Sequence, residues 1–306
     1  MRIGIDVGGT KIEGIAIDRS GATLCRKRVS TPDGNYADTI DTIVSLVLHI
    51  ESVTGRTGSV GVGIPGTVSP ATGLVKNANS TCLIGKPLDG DLCRALGRDV
   101  RVANDADCFA LSEATDGAGA GYSTVFGVIL GTGVGGGLVI GGALVSGPNA
   151  IAGEWGHNRL PVPEDRRYPP ADAGGGTDRA CYCGRTGCIE TYLSGPGLSR
   201  EYFARTGKTM SPGQISAAAE QGDTLCEAVL REYEQNLAIG LSIVINIVDP
   251  AVIVLGGGLS NLERLYANVP RLLAAHVFSD TVRTVLLPPE HGDSSGVRGA
   301  AWLWPA

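Results

Sequence analysis

Residues 124–145 read TVFGVILGTGVGGGLVIGGALV. An apolar run meets a turn of glycine and threonine, and a second apolar run leaves it. Short apolar runs bounded by glycine read as strands, so the stretch predicts two strands joined by a glycine-rich turn. The same layout opens the chain in 1-MRIGIDVGGTKIEGIAID-18: strand, then Gly8-Gly9-Thr10-Lys11, then strand. A third strand is expected near 22-ATLCRKRVS-30. An arrangement stated twice in one chain predicts two related α/β halves with a cleft between them.

Working outward, 37-ADTIDTIVSLVLHIESVTG-55 carries apolar residues at helical spacing and stops at glycine. A strand, 59-SVGVGIPG-66, runs into a proline-glycine turn, and a short helix is expected over 88–97. The segment 100-VRVANDAD-107 predicts a strand ending in an acidic turn, with a helix over 107–119. Further helices are expected near 211–221, 223–248 and 260–276, around a buried strand 251-AVIVLGGG-258. The ending, 291-HGDSSGVRGAAWLWPA-306, predicts an amphipathic helix that crosses back to the first half, with Trp302 and Trp304 packed internally.

The 306 residues are enough for two domains with real cores. Hydrophobic residues make up 43% and charged residues 18%, which fits a globular chain. The net charge of -6 supplies no basic field for nucleic acid. The first residues lack the pattern of a secretion signal, and no uncharged apolar run approaches a membrane span. Five of the eight cysteines (Cys25, Cys82, Cys93, Cys108 and Cys226) are scattered, as small buried hydrophobes are.

Glycine-rich turns expose rows of backbone N–H groups, and such rows bind phosphate oxygens. Three qualify: 8-GGTK-11, 131-GTGVGGG-137 and 255-LGGG-258. The first two are flanked by strands on both sides, so neither is a P-loop or a dinucleotide fingerprint. Three such turns in two repeated halves fit a nucleotide held between the halves. Asp6 precedes the first turn; beside phosphates it needs a cation, which Mg²⁺ with ATP supplies, or else it caps a turn. Thr10 and Thr132 are candidates to hydrogen-bond phosphate, and Lys11 to add charge. Asp105, at a strand end, suits a general base that takes the proton of an attacking hydroxyl. It suits a helix cap equally, and local pattern does not separate it from Asp107. Asn104 both donates and accepts, as recognition of a sugar hydroxyl needs.

Together, DVGGTK at 6–11, GIPG at 63–66, ANDAD at 103–107, GTGVGGG at 131–137, GEWGH at 153–157 and CYCGRTGCIE at 181–190 resemble the ROK family of sugar kinases and sugar-responsive repressors. The resemblance runs in order over the whole chain. Within the family, 75-VKNANSTCLIGKPL-88, GEWGHNRLP and the C-terminal segment look most like the bacterial fructokinases. The resemblance implies the actin-like, hexokinase-like ATPase fold, a two-domain α/β fold built on a ribonuclease H-like repeat. Its implied domains are 1–117 with 291–306, and 118–290. It implies ATP and Mg²⁺ as cofactors and a cytoplasmic homodimer. Asp105 then looks like the catalytic base. Asn104, Glu154, His157 and Glu190 look like sugar ligands, with Gly66, Asn79 and Ser80 near the sugar. Gly8, Gly9, Thr10 and Lys11, with Gly131, Thr132 and Gly133, look like phosphate loops, and Gly256 and Gly257 like the adenosine-side turn.

The cysteine cluster C-x-C-G-x₂-G-C offers three thiolates on a loop that glycines let fold round one point. His157 completes a Cys₃His set with Cys181, Cys183 and Cys188, the closed form expected of structural Zn²⁺. Such a knot ties Glu154 to Glu190 and leaves the second ring nitrogen of His157 to face the sugar. The intervening 163-PEDRRYPPADAGGGTDR-179 reads as an exposed loop.

The expected activity is ATP-dependent phosphorylation of a hexose, D-fructose first, with mannose, glucose or N-acetylglucosamine as alternatives. A sugar-responsive repressor is the remote alternative. Its DNA-binding module stands before the DxGGT strand, and here that strand begins at Arg2.

Overall fold

The computed structural model describes residues 1–78, 80–161 and 179–304. Asn79 and nearly all of the expected loop over 163–179 lie outside the described residues.

Strands β1 (Arg2–Val7) and β2 (Lys11–Ile17) pair antiparallel, with Val7 opposite Ile12 across the turn. β3 (Thr23–Ser30) pairs antiparallel with β2, and helix α1 (Tyr36–Thr54) follows. β4 (Ser59–Ile64) lies parallel to β1. The short pair β5 (Thr67–Val68) and β6 (Val75–Lys76) leads to α2 (Leu88–Leu96). β7 (Val100–Asn104) lies parallel to β4 and feeds directly into α3 (Asp105–Asp116). The sheet order is β3-β2-β1-β4-β7.

The second half begins with β8 (Thr124–Leu130), β9 (Val134–Ile140) and β10 (Ala143–Leu144). Four helices follow the cysteine-bearing segment: α4 (Glu190–Leu193), α5 (Gly195–Thr206), α6 (Pro212–Glu220) and α7 (Thr224–Val248). Then come β11 (Val252–Gly256), α8 (Arg264–Leu273), β12 (Val285–Leu287) and α9 (Ser295–Trp302). The second sheet runs β10-β9-β8-β11-β12, with β11 and β12 parallel. It repeats the order of the first: a hairpin, a third strand outside it, and two later strands on the far side. The repeat read from the two glycine turns is therefore a repeat of sheet topology.

The chain forms two compact units. The first is Met1–Gly127, Gly137–Gly153 and Glu290–Ala306; the second is Val128–Gly136 and Glu154–Pro289. In the first unit α1 starts where the Asn35 side chain accepts the N–H groups of Ala37 and Asp38. Its buried Ile43, Leu46, Val47 and Ile50 repeat at helical spacing and join Ile3, Ile5, Ile12, Val60 and Val62 in one core. Each such side chain contributes about 1.5–3 kcal/mol relative to exposure. Helix α9 lies flat against β1 and β4 because Gly4 and Gly61 face it. A Cβ at either would overlap the carbonyls of Val297 or Ala300. Trp304, half-buried, donates its indole N–H to the Val60 carbonyl at 2.6 Å, which anchors the C-terminal segment on β4.

Three boundaries differ from expectation. The acidic turn after β7 is instead the first turn of α3, because the Asn104 side chain caps Ala106 N–H and lets Asp105 enter the helix. The helix expected from 260 is a 3₁₀ turn over Gly258–Asn261 followed by α8; the Ser260 hydroxyl bonds back to the Gly257 carbonyl at 2.7 Å. The C-terminal helix starts at Ser295, after a 3₁₀ turn over Gly292–Ser294, rather than at 291. Of the scattered cysteines, Cys108 and Cys226 are buried, while Cys25, Cys82 and Cys93 are half-buried. Among the described residues, no helix is long and apolar enough to cross a membrane.

Candidate functional site

In the first unit, the β1–β2 turn is closed by Gly8 N–H donating to the Lys11 carbonyl at 2.9 Å. Thr31, just after β3, fastens it: its hydroxyl donates to the Gly8 carbonyl at 2.7 Å and its N–H to the Thr10 carbonyl at 3.1 Å. Gly9, Thr10 and Lys11 at the tip are exposed. Asp6, one pleat earlier, is pushed up to about 6 by burial, then by the charges of Asp105 and Glu13, with Lys11 and Arg28 opposing. A carboxylate held this way takes a cation readily. Cys108 is raised well above the thiol range by burial, then by Asp107, Asp6 and Asp105. The acids of β1 and α3 thus share one acidic corner.

Asn104 and Asp105 stand where β7 becomes α3. Asp105 Oδ1 accepts Ala106 N–H at 2.8 Å, and Asn104 Oδ1 accepts the same N–H at 2.8 Å. Asn104 Nδ2 donates to the Gly66 carbonyl at 3.2 Å. Gly66 sits in a tight bend, and a Cβ there would lie 2.8 Å from the Ala78 methyl and the Lys76 carbonyl. The structure thus brings Gly66, Asn104 and Asp105 together. Ser80 precedes the 3₁₀ turn over Thr81–Leu83.

In the second unit, the β8–β9 turn is tied to the starts of two helices. Gly131 N–H donates to the Gly133 carbonyl at 3.0 Å, and Gly195 N–H to the Gly131 carbonyl at 2.8 Å. Glu190, at the start of α4, accepts Val134 N–H at 3.0 Å. A Cβ on Gly133 would lie 2.6 Å from the same Glu190 oxygen, so that glycine makes room for the carboxylate. Gly257, with φ 79°, places β11 so close to β8 that a Cβ would sit 2.5 Å from the Leu130 carbonyl. Gly256 ends β11 just before it. Trp155, beside Glu154, donates its indole N–H to the Gly135 carbonyl at 2.9 Å.

His157, Cys181, Cys183 and Cys188 present ligand atoms that all lie within 4.8 Å of one another. Cys181 Sγ is 3.7 Å from His157 Nδ1, and Cys183 Sγ is 3.7 Å from Cys188 Sγ. Zinc–sulfur bonds of 2.3 Å in a tetrahedron give sulfur–sulfur edges of about 3.8 Å, with sulfur–nitrogen edges of about 3.6 Å. The donor set and its edges therefore fit a tetrahedral cation. Without one, the thiols perturb each other. Burial opposes ionisation of Cys183, but hydrogen bonds from Arg185 and from Cys181 and Cys188 outweigh it and lower the thiol to about 6. Burial raises Cys181, and burial with bonds to Cys183 and Cys181 pushes Cys188 to about 12. A cation bound here would displace the protons that these thiols hold.

The second ring nitrogen of His157 meets the Tyr182 hydroxyl, 3.1 Å from Nε2. The two rings meet edge to face, with centroids 5.3 Å apart at 81°. Burial, then the charges of Glu190 and Glu154, push Tyr182 up to about 12, so its hydroxyl keeps its proton. Sequence reasoning passed over Tyr182, though its place between two clustered cysteines was visible. It also passed over Thr31, which holds the first turn from just beyond the end of β3.

Residues 2–306 match the ROK family. The chain belongs to the ROK family. The N-acetyl-D-glucosamine kinase of Yersinia pseudotuberculosis serotype O:1b is 41% identical over 313 residues, covering 99% of this chain and 98% of that protein. Among solved structures, the ROK hexokinase of Thermus thermophilus superposes with a TM-score of 0.85 at 27% identity, covering 98% of this chain and 96% of the other. The ROK glucokinase of Streptomyces griseus, solved with glucose and AMPPNP, gives 0.78 at 29% identity and covers 99% and 98%. The fold of this ROK protein is thus the actin-like ATPase fold of the ROK hexokinases.

Proposed function

We propose that this ROK sugar kinase transfers the γ-phosphoryl group of ATP to N-acetyl-D-glucosamine. The observation that carries the choice of hexose is the 41% identity to an N-acetyl-D-glucosamine kinase over 99% of the chain. The chemistry needs a base, a phosphate cradle with its cation, and a shell of sugar ligands. Asp105 is the base: it accepts the proton of the attacking sugar hydroxyl as the oxygen closes on phosphorus. Its place at the start of α3 gives it a fixed backbone and the positive end of a helix. Asp6 faces the Mg²⁺ of the nucleotide, and the cation returns that carboxyl to its ionised form.

The turns at 8–11 and 131–133 cradle phosphate with their N–H groups and with Thr10 and Thr132, and Lys11 adds charge. Gly256 and Gly257 border the adenosine. Glu154, His157 and Glu190, with Gly66, Asn79, Ser80 and Asn104, form the sugar shell. Zn²⁺ held by His157, Cys181, Cys183 and Cys188 is structural, because four protein donors leave no position for water. Its task is to fix the backbone on which Glu154 and Glu190 stand.

Fructose is the second reading. It rests on 75-VKNANSTCLIGKPL-88, GEWGHNRLP and the C-terminal segment, which resemble the bacterial fructokinases. The homodimer expected from the family belongs to the same proposal, and sedimentation velocity reads it. The proposal is tested by following ADP release with Mg·ATP and N-acetylglucosamine, and by ³¹P NMR of the product. A sugar phosphomonoester supports it. ADP release without a sugar phosphate makes the chain an ATPase and overturns it.

A further inference from the structure

Arg179 holds none of the roles assigned above, yet its side chain is only 16% exposed. A guanidinium leaves water only where its donors are used. Nη1 donates to the Thr191 carbonyl in α4 at 2.8 Å and to the Gly197 carbonyl in α5 at 3.3 Å. Nη2 pairs with Glu201 of α5, and the planar group lies over the Tyr192 ring, 4.3 Å from its centroid. The Arg179 carbonyl accepts Gly187 N–H at 2.8 Å, which fixes the backbone of Arg179 in the cysteine loop. One side chain thus joins that loop to two helices.

Those helices meet closely. A Cβ on Gly197 would lie 2.8 Å from the Thr191 carbonyl, and the two carbonyls that converge there share one nitrogen of Arg179. Helix α4 spans four residues, a single turn too short to hold its own shape. Near its start the Thr191 N–H and hydroxyl both bond to the Cys188 carbonyl, at 2.9 and 2.7 Å. The Leu193 carbonyl at its end is held by the Tyr233 hydroxyl at 2.8 Å, and the Thr191 carbonyl by Arg179. Glu190 opens this turn, so the tilt of the turn sets where its carboxylate stands. The anchorage continues inward: Glu201 also accepts Arg205 Nε at 2.9 Å, and Arg205 pairs with Glu232 of α7.

We infer that Arg179 is a positioning residue for the hexose: it fixes the turn that carries Glu190, and it acts on the sugar through that carboxylate alone. This rests on the sugar-kinase reading above, in which Glu190 binds the sugar.

The test is Arg179→Lys in the full-length chain. It keeps a positive charge beside Glu201 and removes the planar fork that reaches both carbonyls. N-acetylglucosamine and fructose are titrated calorimetrically without ATP into the unmodified chain, Arg179→Lys, Glu190→Gln and the double variant, and bound zinc is counted by elemental analysis. The expected result is sugar binding about tenfold weaker in Arg179→Lys with zinc unchanged, and little further loss when Arg179→Lys is added to Glu190→Gln. Unchanged sugar affinity in Arg179→Lys overturns the inference. So does the same loss repeated in full in the Glu190→Gln background, or zinc lost together with affinity, either of which gives Arg179 a general structural role. If Arg179→Lys does not fold, Arg179→Gln with Glu201→Gln removes both charges at once, takes its place in the cycle and is read by the same criteria. Failure of the unmodified chain to bind either sugar while it keeps zinc overturns the sugar-kinase reading, and this inference with it.

Discussion

Gly133→Ala is the substitution that separates the fold of the β8–β9 turn from its service to Glu190. The backbone at Gly133 lies outside the left-handed region, so alanine brings no backbone strain. Its Cβ, however, falls 2.6 Å from the Glu190 oxygen that accepts Val134 N–H, and ordinary contact begins at 3.4 Å. The carboxylate is the far end of a flexible side chain, so it withdraws by about 0.8 Å and the helix stays. The 3.0 Å hydrogen bond is lost with it. A bond to a charged acceptor contributes roughly 1.5–3 kcal/mol, and each 1.4 kcal/mol is about tenfold in affinity. If Glu190 binds sugar, a charge-assisted bond of similar worth from the displaced carboxylate to the sugar is weakened as well, so hexose affinity should fall roughly ten- to a hundredfold, while the lost Val134 bond lowers Tm by roughly a few degrees. Calorimetric titration of the sugar, beside a thermal melt, reads both numbers. Sugar binding within twofold of the unmodified chain would refute the role of Glu190 and the reasoning that glycine serves it.

Other outcomes follow from the same geometry. Cys183→Ala should lose the metal, stability and sugar affinity together; a metal-free variant with full activity would contradict the zinc reading. Asp6 titrates near 6 in the folded chain against an ordinary 3.8. The folded state therefore holds the proton more tightly, and stability falls as pH rises through 6. Metal-free Asp6→Asn should gain roughly 1–3 kcal/mol over the unmodified chain at pH 7.5 and nothing near pH 3.5; melts showing the same difference at both pH values would contradict this. Glu113 is fully buried and accepts Ser295 Oγ at 2.7 Å, Ala118 N–H at 2.9 Å and Glu290 N–H at 3.1 Å. Glu113→Gln should cost about 2–4 kcal/mol in urea unfolding, and a cost below about 0.5 kcal/mol would show that the network re-forms around the amide. Asp105→Asn should keep sugar binding and lose about 10²–10⁴-fold in kcat, and comparable turnover would move the base elsewhere, with Asp107 first.

The repeat was legible because glycine turns between short apolar runs are local signals, and both sheets follow from them. The cysteine loop was legible for the same reason: three thiols within eight residues converge whatever the rest of the chain does. Contacts made across long stretches of chain were not legible. Glu190 meets Val134 across 56 residues and Glu113 meets Ser295 across 182, and no periodicity marks either pair. The start of α3 was misplaced because Asn104 does two things at once: it ends a strand and caps a helix. Pattern reading assigned it to the strand and left the acids in a turn. The partner of His157 Nε2 was missed because ring orientation depends on which nitrogen faces the thiols, and sequence carries no orientation.

The most direct measurement is a competition in one vessel. N-acetylglucosamine, fructose, glucose and mannose are mixed at equal concentration with limiting Mg·ATP, and the sugar phosphates are resolved by mass spectrometry. The acetamido group sets one product apart from the three hexose phosphates by mass, so the product ratio is the ratio of kcat/KM. The account predicts that N-acetylglucosamine phosphate dominates. A dominant hexose phosphate would contradict it and return the choice of sugar to the fructokinase-like segments.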